Sequence, residues 1–433
     1  MPKNKRTYLD IAAGISGNPS SPHTEGRAAR ERLEAARLRI ARLIEVKSDD
    51  VVFTSGATEA NAIAILGSCR AASAFAKATA DKRALTSKPH LLYLPSSHAS
   101  IVENMKLAEN DGADIEALPI KNCRIDCDAL AKLLRPETIL ISMDAVCGET
   151  GVVWNTREVA NVLKKARSRI RFSCSFGPRE DLVSQSQRKP NSATGPCLHV
   201  DASQAVWTEK LPRAHFGADL MTLDASKVCE TRGIGCLIAP RSIPLAPLYG
   251  GGPQERGLRP GSEAPDLATT FAEGLARAAE GRAHFCAEAR AARAELIEAI
   301  RVGIPNVLFN EARDPSSAKA MQGKQAPHIL NLSLPAQAGL PEYDTDYLVA
   351  LLDEAGFAIS TRSACETDPS RQGGAKADSR TGSRAVFALW GDAPRAASTL
   401  RISWGPATSG PALAQFSQAL IKACAFIDSA GVA

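Results

Sequence analysis

Aromatic residues are scarce, 5% of 433, and no apolar run approaches the roughly 18 residues that a membrane-spanning helix needs. The opening stretch MPKNKRTYLD also lacks the apolar core of a secretory signal, so a cytoplasmic protein with no membrane attachment is expected. An excess of one charge is missing too. Lys and Arg number 52 against 47 Asp and Glu, and the net +5 is too weak to argue for direct contact with nucleic acid. There is no CxxC pair among the 11 cysteines, which are odd in number and scattered from Cys69 to Cys424. Neither a disulfide framework nor a structural zinc site is expected, and no metal site is assigned. Most of these thiols should be small buried hydrophobes, so a reactive one has to be recognised by its surroundings.

What remains is the composition of a globular chain, 44% hydrophobic and 23% charged, long enough for about three domains or one large two-domain enzyme. Short apolar runs alternate with helical periodicity through the first two thirds, the pattern of a mostly parallel sheet covered by helices. The strands expected are VVFTS from Val51, HLLYLP from His90, TILISM from Thr138, LHVDA from Leu198, DLMTLD from Asp219 and IGCLIAP from Ile234. An Ala-rich helix follows from about Ala264 to Arg301, and HILNLSL, DYLVALLDEAG and TLRISWG suggest a smaller second α/β unit. The boundary is placed near residue 263. Residues 71–88, 174–195 and 367–384 are small, polar and aperiodic, and are expected to be mobile surface loops.

In open α/β sheets ligands sit beyond the carboxyl ends of the strands, so chemistry is sought there. In FTSGATEAN a strand runs into Gly56, Ala57 and Thr58 and then a helix, a turn that offers free N–H groups and a positive dipole end to a phosphate. Taken locally, an ordinary helix cap explains it as well. Asp201 follows the strand LHVD, with Gln204 three residues on, and Lys227 follows DLMTLD. These two charges at neighbouring strand ends form either a salt bridge or a catalytic pair. In the second case the lysine would make a Schiff base with pyridoxal phosphate while the acid keeps the pyridine nitrogen protonated. Cys365, in ISTRSACET just before a long polar segment, has no packing role to explain it and is the candidate nucleophile; an incidental exposed thiol is the alternative.

These motifs, with YLDIAA from Tyr8, GNPSSPHTEGRAAR from Gly17, His98, GETGVV from Gly148, GGGPQERGLRPGS from Gly250 and LRISWG from Leu400, run in an order that resembles the cysteine desulfurases of the pyridoxal-phosphate class V aminotransferase family. The resemblance implies an α/β fold of the type I pyridoxal-phosphate transferase kind. That fold has an N-terminal segment over residues 1–16 packing on the small domain and a large domain over 17–263 with a mostly parallel seven-stranded sheet sandwiched by helices. A smaller C-terminal α/β domain over 264–433 carries the cysteine loop. It implies that L-cysteine is converted to L-alanine and that the sulfur passes, as a persulfide on Cys365, to an acceptor in iron–sulfur cluster assembly or tRNA thiolation. By the same resemblance Lys227 bonds the cofactor aldehyde, Asp201 pairs with the ring nitrogen and Gln204 bonds the ring hydroxyl. His98 stacks on the ring and assists proton transfer, while Gly56, Ala57, Thr58 and Ser226 lie around the phosphate. Ser262 reaches the phosphate of the other subunit, which implies a homodimer, and Arg401 binds the substrate carboxylate. A related lyase, such as one acting on selenocysteine, or a non-catalytic homologue retained as a binding partner would share this scaffold.

Three positions depart from the family pattern: Gly148 where asparagine is usual, Asp224 where a phosphate-binding serine is usual, and Ser226 in place of histidine. A carboxylate about 4 Å from a phosphate charge costs roughly 4 kcal/mol at an effective dielectric of 20. Asp224 is therefore expected to turn toward an Arg or Lys, to leave the phosphate held differently, or to weaken cofactor binding.

Overall fold

A computed structural model of the chain describes residues 7–79, 88–169, 195–312, 323–335, 343–361 and 382–430. Seven strands form the main sheet: β1 (Val51–Thr54), β2 (His90–Tyr93), β3 (Asp114–Ala117), β4 (Thr138–Asp144), β5 (Cys197–Asp201), β6 (Leu220–Asp224) and β7 (Gly235–Ile238). Their order is β1-β7-β6-β5-β4-β2-β3, with β7 antiparallel to both its neighbours and the remaining pairs parallel. Every residue of β4 and β5 is buried, as a strand covered on both faces requires. The alternation of strand side chains sorts the core into two layers. Val52 and Leu91 pack with Ile63 and Met105 on one face, while Phe53 and Leu92 pack with Ile40, Val159 and Phe271 on the other.

The first layer is covered by α2 (Ala57–Thr79) and α3 (Ala99–Asn110), the second by α1 (Thr24–Ile44), α4 (Thr156–Arg169) and the first part of α5 (Pro265–Gly303). Proline at the first turn of α5 costs no hydrogen bond, because that N–H has no helical partner in any case. Farther along, α5 enters a separate core, where Phe285, Leu296 and Ile300 meet a three-stranded antiparallel sheet of β8 (Leu308–Phe309), β9 (Ile329–Ser333) and β10 (Thr399–Ser403). Leu348 and Leu352 from α6 (Thr345–Glu354), and Phe416 and Leu420 from α7 (Gly410–Ala430), complete this second core.

The six strands and the long helix expected from the sequence are present, within two residues at their ends. The edge strand β3 is additional. Its DIEA sequence is only half buried and carries two acids, one of which, Glu116, meets Arg135 at 2.9 Å, so it offers no apolar run to read. One loop expectation needs correction: residues 71–79 are not a loop but the last turns of α2, whose alanine-rich sequence favours helix and whose Ala72 is buried. Residues 80–87 and nearly all of 174–195 and 367–384 lie outside the described residues, although Arg384 already opens a short helix, Arg384–Trp390. Among the described residues no helix is long and apolar enough to cross a membrane, and no three metal-ligating side chains gather at one point.

Candidate active site

Three adjacent strands, β4, β5 and β6, each end in an aspartate: Asp144, Asp201 and Asp224. These ends form the floor of a cleft of about 630 Å³, which also takes in Thr58, His98, Gln204, Lys227 and Arg401. The cleft thus collects most of the predicted residues from five separate segments.

Asp201 is buried, and both its oxygens are held: Asn61 Nδ2 donates to Oδ2 at 2.8 Å and the Ser203 N–H donates to Oδ1 at 2.9 Å. Asn61 lies on the buried face of α2 and also donates to Ser100 Oγ at 2.8 Å. From Ser100 the network reaches His98, the N-cap of α3, whose Nδ1 lies 2.8 Å from Ser100 Oγ and accepts from the Ser100 N–H at 3.2 Å. An Nδ1 that accepts from a backbone N–H leaves the proton of the neutral ring on Nε2.

Lys227 ends the turn after β6, and among the described residues its ammonium has no hydrogen bond or ion pair. Its carbonyl is fixed instead, accepting from Trp207 Nε1 at 2.7 Å. Asp201 and Lys227 therefore do not form the salt bridge that the sequence left open. Gln204 lies over Gly148, where a Cβ would come within 3.1 Å of Nε2. The glycine found in place of asparagine thus gives its space to the glutamine. Arg401 enters from β10 of the second sheet, with Nη2 donating to Ser360 Oγ at 3.2 Å and Nη1 to the Gly148 carbonyl at 3.5 Å.

Among the described residues Asp224 turns toward neither Arg nor Lys. Its Oδ2 accepts from the Ala57 N–H and its Oδ1 from the Ser226 N–H, both at 2.8 Å. Ser262 does not reach this cleft; within the chain its exposed hydroxyl accepts from Asn18 Nδ2 at 3.4 Å. Cys365 lies outside the described residues, as does Cys174. The chain leaves the described region at Thr361, next to Ser360, whose N–H and carbonyl pair with those of Arg401 at 3.3 and 2.6 Å. It returns at Gly382, and the hydroxyl of the next residue, Ser383, donates to the cleft residue Glu149 at 2.5 Å.

Cys147 also faces the cleft, but it is buried and its thiol is pushed up to about 12 by burial and by the charges of Asp144 and Glu149. Desolvation likewise raises Cys69, Cys123, Cys197 and Cys424, which leaves these thiols inert as nucleophiles. Asp144 is fully enclosed; burial lifts its acid to about 7 against the hydroxyl of Ser97, and the charge of Asp201 adds to the rise. Asn61, Trp207 and Asp144 were not picked out from the sequence. Asp144 had a readable signal, an acid closing the apolar run TILISM in the same way that Asp201 closes LHV.

The donor set fits pyridoxal phosphate. An amine with no partner among the described residues, an oriented buried carboxylate one strand away and a tautomerically fixed imidazole suit its aldehyde, ring nitrogen and ring face. Buried hydroxyls at Ser96 and Ser203, unpartnered among the described residues, line the same cleft. At the other end the α2 N-terminus already holds an anionic group, the Asp224 carboxylate, as a stand-in for an anion. Fold and site together define an enzyme of the pyridoxal-phosphate aminotransferase class. Residues 6–172 match the family model described as Aminotransferase class-V. The chain is 30% identical over 373 residues to a NifS/IcsS protein homolog of Lactobacillus delbrueckii subsp. bulgaricus, covering 84% of this chain and 81% of that protein. It is 29% identical over 353 residues to cysteine desulfurase IscS 1 of Archaeoglobus fulgidus, covering 81% and 77%. A solved NifS-like protein shares the fold with a TM-score of 0.72 at 22% identity, covering 95% of this chain and 92% of that one. The chain belongs to the NifS/IscS family of class-V aminotransferases, the pyridoxal-phosphate-dependent cysteine desulfurases.

Proposed function

We propose that the protein desulfurates L-cysteine to L-alanine in the cytoplasm as a homodimer. The sulfur would leave as a persulfide on Cys365 for an acceptor protein in iron–sulfur cluster assembly or tRNA thiolation. The observation that carries this reading is the convergence of Lys227, Asp201 and Arg401, from three different elements, on one cleft. Bound there, pyridoxal phosphate supplies an electron sink for charge developing at the substrate Cα.

The residues divide the remaining work. Asp201, oriented by Asn61 and the Ser203 amide, would hold the ring nitrogen and its proton. The Lys227 amine, free of partners among the described residues, carries the proton to and from the substrate Cα. His98 presents an Nε2 proton, and Arg401 grips the substrate carboxylate with a guanidinium pinned at Ser360 and Gly148. Cys365, as thiolate, attacks the substrate sulfur. An S–S bond forms, the C–S bond breaks with its electron pair on carbon, and that carbon takes a proton to become the methyl of alanine. Three residues lie between Thr361 and Cys365, so the chain from the one Cα to the other can extend to at most about 14 Å, and Thr361 follows Ser360, which pairs with the cleft residue Arg401. Ser262 would act in the other subunit.

The test is to load the full chain with pyridoxal phosphate and L-cysteine and measure alanine together with sulfide released by a thiol reductant. Equimolar products from the wild type are expected. Cys365→Ala should keep the visible cofactor absorbance and lose both products, whereas continued sulfide release would remove Cys365 from the reaction. Cofactor that stays attached after Lys227→Ala and dialysis would point to another lysine.

A further inference from the structure

The reaction above leaves Asp224 without a task, yet it stands where the family resemblance implies a phosphate-binding serine, and its carboxylate sits on the amide that opens α2. It closes β6 and reaches the first N–H of α2, a helix of 23 residues, through Ala57 at 2.8 Å, and its other oxygen is occupied by the Ser226 N–H at 2.8 Å. The backbone is shaped around that oxygen. Gly56 has φ 152°, and a Cβ there would stand 3.4 Å from Asp224 Oδ2. Gly235 on β7, in register with Asp224, would drive a Cβ to 2.8 Å from Gly56 Cα, so the turn is pressed against the strand with no room for a side chain at position 235. Among the described residues no Lys or Arg forms an ion pair with Asp224. Its carboxylate is held by the Ala57 and Ser226 amides, and the Ala57 amide opens α2, where the helix dipole favours an anion such as a phosphate.

We propose that Asp224 is a specificity-determining residue that competes with the cofactor phosphate for the N-terminus of α2. The phosphate enters only as the carboxylate gives up Ala57. Ring and phosphate recognition are thereby uncoupled: the ring end is fully furnished by Lys227, Asp201 and His98, while the phosphate end resists a second anion. The protein therefore favours pyridoxal phosphate over unphosphorylated pyridoxal far less than a serine at this position would allow, and it exchanges its cofactor readily. The inference rests on the function proposed above, since it concerns the same cofactor.

The experiment titrates the full chain separately with pyridoxal phosphate and with pyridoxal, reading visible absorbance and tryptophan fluorescence, for the wild type, Asp224→Ser and Asp224→Asn. Asp224→Ser should tighten pyridoxal phosphate at least tenfold and shift pyridoxal less than twofold, and Asp224→Asn should move the ratio in the same direction. The Asn variant removes the charge while keeping one acceptor oxygen for one of the two amides, and carries the test if the Ser variant misfolds. A ratio of affinities equal within twofold in all three proteins, or a weaker hold on the phosphate form in Asp224→Ser, overturns the inference while leaving the desulfurase reading intact. Failure of both cofactor forms to react with Lys227 in any of the proteins overturns the two together.

Discussion

Asn61 Nδ2 lies 2.8 Å from Asp201 Oδ2 and 2.8 Å from Ser100 Oγ, and so joins the acid on the central strand to the hydroxyl that orients His98. One buried amide thereby sets two groups that line the same cleft. Replacement by alanine removes a donor to a buried carboxylate, a loss of about 1–3 kcal/mol. Asn61→Ala is expected to weaken pyridoxal phosphate binding by about tenfold or more, measured by absorbance titration. Asn61→Asp should be worse, because it sets a second charge against Asp201.

Arg401 is expected to act through the fork shape of its guanidinium as well as its charge. Arg401→Lys keeps the charge but cannot bond Ser360, Gly148 and a carboxylate together. The KM for L-cysteine should rise by roughly tenfold or more, with kcat changing less. Steady-state alanine production checks this, and a fall confined to kcat would remove Arg401 from substrate binding.

Burial lifts the Asp144 acid to about 7. Between the ordinary carboxylate range and that value the folded chain holds a proton that the unfolded chain has lost. The contribution of Asp144 to stability is therefore complete at low pH and falls as pH rises through this window. Asp144→Asn has no charge to bury, so its melting temperature relative to wild type should be higher at pH 8 than at pH 5. An equal difference at both values would show that Asp144 ionises freely in the fold.

Arg37 and Glu255 form a buried bidentate pair at 2.6 and 2.8 Å, and Glu255 also accepts from the Phe53 N–H on β1. Arg37→Met leaves that carboxylate enclosed without its cation, at a cost of about 3–5 kcal/mol. Denaturant unfolding should show the loss, and the double variant with Glu255→Gln should recover part of it.

Much of this fold was legible because burial on both faces of a strand demands short, mostly apolar runs, and six of the seven main strands have them. Strand β3 was hidden, since a half-buried edge tolerates Asp114 and Glu116. The last turns of α2 were hidden by their small residues, which resemble loop composition while favouring helix. Within the site, Lys227, Asp201, Gln204 and Arg401 were readable from motif and strand end. Asn61 was not, because a polar side chain on a helix shows its purpose only when its partner is known.

Sequence alone determined the covalent inventory: which amine, acid, imidazole and thiol are available, and at which strand and helix ends. It also determined that no serine stands at position 224. Only tertiary structure decided that the Asp224 carboxylate would settle on the amide of Ala57, 167 residues away along the chain. Hydrogen bonds and Coulomb energies depend on separation in space, and the pairing of β7 with β1 and β6 is what brings the end of one strand against the start of a distant helix.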